Sequence, residues 1–419
     1  MRVTIARGVA HFSYAPLLAL AAAISFGKLI VYAALIEVAQ FGALGKMLLV
    51  STLFGMVGGL GLYLVASRDL PALLVAGRER RALALLAQGA WVTTLTAVAG
   101  LACALLGFEL FDLSPRELML GLLHGWVQQL FMFAGFDNRS RLALMDYARD
   151  LFVRAFLCAT AGAAAATAQF GAAGVIVAET VVTALLGAWM VQGVLCRAKA
   201  RWRWLPGLAL RRLGALPWRA SLVLLAGSLA AFASFNLDRW LAAEVLSREA
   251  FGQYAFAWIA LLAAQSVQTL VNSGLLPLLA RRAATGQAGG AVRLTLLMSA
   301  ALLVAATLAG AASWLAAAYA VERWLPKYAA ALPILPLLVA AAILRVSDFW
   351  SSLLVVQKRE DELLAVQSGS VVVSVLGLGT WVWVTGEPPT GPALASLALL
   401  TASFSLFGSA VMALRRPKA

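Results

Sequence analysis

The stretch from 232 to 277 decides how the chain is read: Phe232, then Asn236-Leu237-Asp238-Arg239, then Phe251-Gly252-Gln253-Tyr254-Ala255, and finally Pro277. An acid and a base stand here among runs of Leu, Ala, Val and Phe. Such runs read as helices at membrane depth, where backbone groups must be satisfied internally and ionisable side chains are costly. Neighbours at i and i+1 on a helix do not face each other. Asp238 and Arg239 therefore each need a partner elsewhere, which implies a polar lumen.

Composition extends this reading to the whole chain. The 419 residues are 62% hydrophobic and only 12% charged, with a mean hydropathy of +0.88, too little polar surface for a water-soluble globule of this size. About 20 apolar residues span a bilayer as a helix. Such stretches fall at roughly 13–36, 42–66, 82–107, 118–135, 151–171, 174–195, 220–243, 252–279, 292–318, 330–356, 364–385 and 392–414. The expected class is an all-α polytopic membrane protein with about twelve transmembrane helices.

The net charge of +14 invites a nucleic-acid reading, but the positions of the bases give a plainer one. Arg78, Arg80 and Arg81, then Arg139, Arg141 and Arg149, then Arg197 through Arg219 occupy alternate connections, with Arg2 and Arg7 before the first span and Arg415, Arg416 and Lys418 after the last. The other connections are poor in Lys and Arg. By the positive-inside rule both termini are cytoplasmic, and no nucleic acid is expected as a partner. The first apolar run is too long for a cleaved signal peptide and is read as a retained helix. Cys103, Cys158 and Cys196 have no metal-ligand spacing and read as small packing residues.

A shift of 210 places Phe41-Gly42 on Phe251-Gly252 and Lys28 on Asp238, and a shift of 211 places Pro115-Arg116 on Pro326-Lys327. Two anchors at nearly one offset point to parallel repeats of six helices each. The expected organisation is a first lobe over 1–197, a basic Trp-containing linker on the cytoplasmic surface over 198–219, and a second lobe over 220–419.

The Asp-Arg near one helix end, the Gly-x-Tyr start of the next helix and the late Pro resemble the polysaccharide and O-antigen flippases of the multidrug/oligosaccharidyl-lipid/polysaccharide (MOP) exporter superfamily. Ile36-Glu37, Phe41-Gly42-Ala43-Leu44-Gly45, Gly59-Leu60-Gly61-Leu62 and Arg68 are similar to that family's opening pair of helices. The resemblance implies two six-helix lobes with a MATE/MOP-like fold and alternating access. It also implies a bacterial inner-membrane location and an undecaprenyl-diphosphate-linked oligosaccharide as cargo. Membrane lipids and the polysaccharide polymerase machinery are the further partners it implies, with no cofactor beyond an undetermined coupling ion, H+ or Na+.

Lys28 lies deep in the first span, where an ammonium could line the cavity as a point charge for a diphosphate; the bland alternative is a lysine that snorkels to the interface. Asp238 is expected to approach Lys28 across the cleft by pseudosymmetry; the bland alternative is that Asp238 and Arg239 form local ion pairs with Arg248 or Glu244 at the membrane surface. Arg239, Arg154 and Arg345 extend the candidate basic lining, although Arg345 and Asp348 at i and i+3 could satisfy each other, as could Asp150 and Arg154. Gln128, Gln129, Gln265, Gln268 and Asn272 could bind sugar hydroxyls or join helices. Glu37, Lys46 and Glu179 fall near expected helix ends or in their outer thirds and carry less weight, and His11 and His124 have no triad-like or metal-like neighbourhood.

No Walker motif, nucleophile elbow or His-Glu-x-x-His is present, and the chain is expected not to be an enzyme. A polymerase or ligase acting on lipid-linked glycans is disfavoured because the outside loops are expected to be short. A multidrug extruder of the same superfamily is the nearest alternative, against which stands Lys28 where a carboxylate would be expected. A lipid II flippase is a second alternative, but that branch is similar in carrying two further helices.

Overall fold

The computed structural model describes residues 14–210, 213–284 and 288–415, and most side chains between 269 and 288 lie outside that description. Among the described residues there is no strand, and twelve helices are long and apolar enough to cross a membrane. The chain divides into two compact units, Met1–Ser228 and Leu229–Ala419.

The first unit holds α1 (Ala15–Leu35), α2 (Val38–Val57), α3 (Leu62–Val75), α4 (Glu79–Leu105), α5 (Pro115–Ser140), α6 (Leu144–Thr167), α7 (Gly171–Arg197) and the short α8 (Leu205–Leu210). α1 packs on α6, α6 on α7, and α5 on α2, α4 and α7. Gly121 and Gly125 make the α2–α5 approach possible. A Cβ at either would stand 2.8 Å from a backbone oxygen of α2, that of Met47 or of Ser51, the close contact that small residues four apart allow between membrane helices.

The second span, expected over 42–66, is broken. Leu60 and Gly61 have positive φ of 46° and 79°, ending α2 and restarting the chain as α3. A Cβ on Gly61 would lie 2.1 Å from the Ser221 carbonyl oxygen, and Ser221 Oγ donates to the Leu60 carbonyl at 2.6 Å. The glycine thus seats the start of the following long helix, α9 (Trp218–Val245), against the first unit. The unit boundary falls inside α9, since Trp202–Leu210 and Ser221 all pack on first-unit helices.

The second unit continues with α10 (Arg248–Ala284), α11 (Ala288–Trp324), a 3₁₀ segment (Pro326–Ala331), α12 (Leu335–Ser347), α13 (Trp350–Val356), α14 (Glu360–Thr385) and α15 (Gly391–Leu414). α12 packs on α10, α11 and α15 at its centre. α10 and α11 have 37 residues each, about 55 Å at the helical rise, and so outrun the hydrocarbon core. α1 ends at Leu35 and α2 begins at Val38, while α9 ends at Val245 and α10 begins at Arg248. The helix boundaries therefore recur at the offset that aligned Phe41 with Phe251. The second anchor is looser: Pro115 opens α5, whereas Pro326 opens the 3₁₀ segment ahead of α12.

The tenth span, expected to be continuous over 330–356, is interrupted between Ser347 and Trp350. Asp348 leaves the helix at ψ 78°, its Oδ1 accepts from the Ser351 N–H at 3.2 Å and its Oδ2 from Ser405 Oγ at 2.8 Å. An aspartate that can bond the backbone ahead of it starts a new helix instead of extending the old one.

Candidate functional site: two buried polar clusters

Lys28 on α1 does not snorkel. It lies two turns before the C-terminal end of its helix, and its Nζ reaches Glu179 Oε2 on α7 at 2.5 Å. Tyr32, one turn along the same face of α1, places its hydroxyl 2.8 Å from Glu179 Oε1 and 2.8 Å from the Cys158 carbonyl on α6. The hydroxyl has one proton and can donate to only one of these acceptors at a time. His124 on α5 brings Nε2 to 3.7 Å from Glu179 Oε2, while its Nδ1 is 2.8 Å from Ser51 Oγ on α2. Five helices thus contribute to one polar cluster, whose central residue, Glu179, is 4% exposed.

Backbone geometry creates the room. A Cβ on Gly162 of α6 would sit 2.1 Å from the Tyr32 hydroxyl, so only glycine lets Tyr32 lie there. The close α2–α5 contact at Gly125 brings Ser51 to His124.

Two expectations need correction at this point. Glu179, given little weight as a residue near a helix end or in its outer third, is the centre of the cluster. His124, which has no triad-like or metal-like neighbourhood in the sequence, is its buried imidazole. A single sequence offered little signal for either, since the partners lie 151 and 73 positions away. Lys46, also given little weight, is wholly buried in α2. Arg154 lies one turn before Cys158 on α6 with its guanidinium 5.0 Å from the centre of the Phe131 ring. The expected Asp150–Arg154 pairing is replaced, because Asp150 accepts from Asn138 Nδ2 at 2.8 Å. Gln128 is half-buried one turn along α5 from His124, and Gln129 is buried.

The second unit has its own cluster. Asp238, two turns before the end of α9 as Lys28 is in α1, is 2% exposed. Its Oδ2 accepts from the Tyr254 hydroxyl at 2.6 Å and from Trp258 Nε1 at 3.0 Å. Arg239 shares Trp258, with its guanidinium 4.5 Å from the centre of the ring, within cation–π range. The alternative that Asp238 pairs with Arg248 at the membrane surface is overturned by this burial.

Arg345 of α12 donates through Nη1 to the Phe235 carbonyl at 2.8 Å, one turn from Asp238, and lies 5.2 Å from the centre of the Phe235 ring. It does not pair with Asp348, because the helix ends between them and Asp348 is taken by Ser351 and Ser405. Gln265 and Gln268 are half-buried on α10; Gln265 lies on the face that carries Tyr254 and Trp258, and Gln268 is one turn further along. The Asn272 side chain and His11 lie outside the described residues. Lys28 and Asp238 belong to different units, and each is partnered within its own. No group of three or more His, Cys, Asp or Glu that could hold a metal occurs among the described residues.

No protein-family model matches the sequence, and no curated protein matches it. Solved structures do. The chain is similar to an outward-facing multidrug resistance MATE family transporter of the MOP superfamily, at TM-score 0.60 and 10% identity, covering 95% of this chain and 92% of that one. It is similar to the Vibrio cholerae MATE transporter VcmN at TM-score 0.58 and 16% identity, covering 99% and 97%. A eukaryotic MATE transporter, AtDTX14, superposes at TM-score 0.54 with 10% identity over 97% and 95%. At these identities the likeness is one of fold: this all-helical chain with twelve candidate membrane spans has the fold of the MATE transporters of the MOP superfamily.

Proposed function

We propose that the chain is a flippase of the MOP type that moves an undecaprenyl-diphosphate-linked oligosaccharide, a polysaccharide repeat unit, across the bacterial inner membrane by alternating access. The observation that supports this reading most is Lys28, an ammonium held inside a membrane-spanning helix by a single carboxylate, that of Glu179. A diphosphate carries more negative charge than Glu179 and competes with it for Lys28. Once released, Glu179 sits beside Tyr32 and His124 as a carboxylate able to take a proton, which would link headgroup binding to the coupling ion. Arg154, Arg239 and Arg345 add further cations at membrane depth, and Gln128, Gln265 and Gln268 offer amides to glycan hydroxyls. Both termini are cytoplasmic in this reading, and the polymerase machinery receives the cargo on the far side.

A second reading, a MATE-type multidrug antiporter exchanging organic cations for H+ or Na+, is favoured by one specific feature. The carboxylate expected of such an exporter is absent from α1, but α7 brings Glu179 to the same place.

The experiment is extraction of lipid-linked intermediates from a strain lacking the gene, with surface glycans and dye retention followed in parallel. Accumulation of one undecaprenyl-diphosphate oligosaccharide with loss of its surface polymer is the expected result, and the accumulated species names the cargo. Unchanged glycans with retention of cationic dyes would replace the flippase by the antiporter.

A further inference from the structure

At its basic end the first unit carries an apolar crevice of about 380 Å³ that neither functional reading uses. One wall is a stripe on α4, Leu83, Leu86, Ala87, Ala90, Trp91 and Thr94, at the i, i+3, i+4, i+7 spacing of one helix face. Phe133 of α5 and Val194 of α7 form the floor. The remaining side is a strap, the 3₁₀ turn Trp202–Trp204 and α8, which turns Trp202, Leu205, Pro206 and Ala209 inward. Trp202 Nε1 donates to Gln192 Oε1 of α7 at 2.6 Å and pins the strap in place.

The strap bears the marks of a headgroup-level segment. Trp202 and Trp204 are each about half exposed, as expected of tryptophans at the membrane–water interface, and they alternate with Arg201 and Arg203. Cations flank two of the lining segments in sequence: Lys199, Arg201 and Arg203 around Trp202 of the strap, and Arg78, Arg80 and Arg81 just before Leu83 of α4. All six are exposed.

The carboxylates at this end are engaged elsewhere. Glu79 is forked by Arg141, with Nη2 to Oε2 at 2.6 Å. Asp137 is held by Arg141 and Arg197 at 3.0 and 2.7 Å, and Asp69 by Arg68. None of the six cations makes an ion pair among the described residues. An apolar slot whose lining segments carry exposed cations without an ion pair fits a ligand with a hydrocarbon chain and a phosphate at one end.

We propose that this crevice is a specific seat for an anionic phospholipid of the cytoplasmic leaflet. One acyl chain lies between the strap and α4, and the phosphate is held by Lys199, Arg201, Arg203 and Arg80. The crevice lies wholly within the first unit and stands apart from the Lys28 cluster. A resident lipid, as distinct from the transported one, is therefore the occupant.

The test is native mass spectrometry of the full chain released from membranes containing phosphatidylglycerol, phosphatidylcholine and undecaprenyl phosphate in equal amounts. Phosphatidylglycerol is expected to stay bound at a stoichiometry near one. The triple variant Arg80→Gln/Arg201→Gln/Arg203→Gln, which touches only exposed side chains, should weaken that binding by about a hundredfold. Ala90→Trp should abolish it by filling the slot, with gel filtration confirming that the variant folds. Equal retention of phosphatidylcholine, retention of undecaprenyl phosphate in place of phosphatidylglycerol, or unchanged binding in the triple variant would each overturn the proposal.

Discussion

Lys28 and Glu179, 151 positions apart in sequence, form an ion pair that joins α1 to α7 inside the first unit. With Tyr32 on one carboxylate oxygen and His124 near the other, Glu179 has partners on every side. A largely buried pair of this kind is weak evidence for stability taken as a whole, but removing one member leaves an uncompensated charge.

Lys28→Met should therefore destabilise the protein more than Lys28→Met/Glu179→Gln does, by about 3 kcal/mol. Thermal unfolding of the purified variants in detergent measures the difference. Both variants should fail to transport in reconstituted vesicles; transport by the stable double variant would show that the pair is structural only.

Gly162→Ala should drive the Tyr32 hydroxyl off Glu179, since the new Cβ would stand 2.1 Å from it. Overpacking of this kind costs about 1–3 kcal/mol. Gly227→Ala, where no heavy atom lies within 4 Å of the added methyl, serves as the control and should unfold at the wild-type temperature.

At the basic end, Asp137 joins Arg141, the residue that caps its own helix, to Arg197 of α7 with its carboxylate only 3% exposed. Asp137→Ala should cost about 1–3 kcal/mol, because it removes a buried carboxylate while Arg141 keeps Glu79 and Arg197 keeps the Asn138 side-chain oxygen. Arg149→Ala removes only an exposed pair with Asp146 at 3.5 Å and should change stability by less than about 1 kcal/mol. Chemical denaturation of both variants would separate the two.

Topology can be read by labelling. In a cysteine-free background, Gln169→Cys at the α6–α7 turn should react with a membrane-impermeant maleimide added to intact spheroplasts. Arg203→Cys on the strap should react only after permeabilisation. The reverse pattern would invert the orientation that the basic residues assign.

Much of the architecture was legible in the sequence because membrane helices declare themselves by length and hydropathy. Their positions in both halves follow an offset that Phe41-Gly42 and Phe251-Gly252 carry openly. Element breaks were less legible. The interruption at Asp348 depends on Ser405, 57 positions away, taking one oxygen of the carboxylate while the Ser351 N–H takes the other. The break at Gly61 depends on Ser221 approaching its backbone.

The sequence by itself determined that this chain crosses a membrane about twelve times, which connections are basic, and that charges such as Lys28, Asp238 and Arg345 stand at depths where they need partners. Only the tertiary structure decided what those partners are. Lys28 meets Glu179, Asp238 meets Tyr254 and Trp258, and Arg345 turns from the nearby Asp348 to the Phe235 carbonyl. The physical reason is that helix periodicity fixes which residues share a face, whereas the neighbour across that face is set by which helices pack and how closely their glycines let them approach.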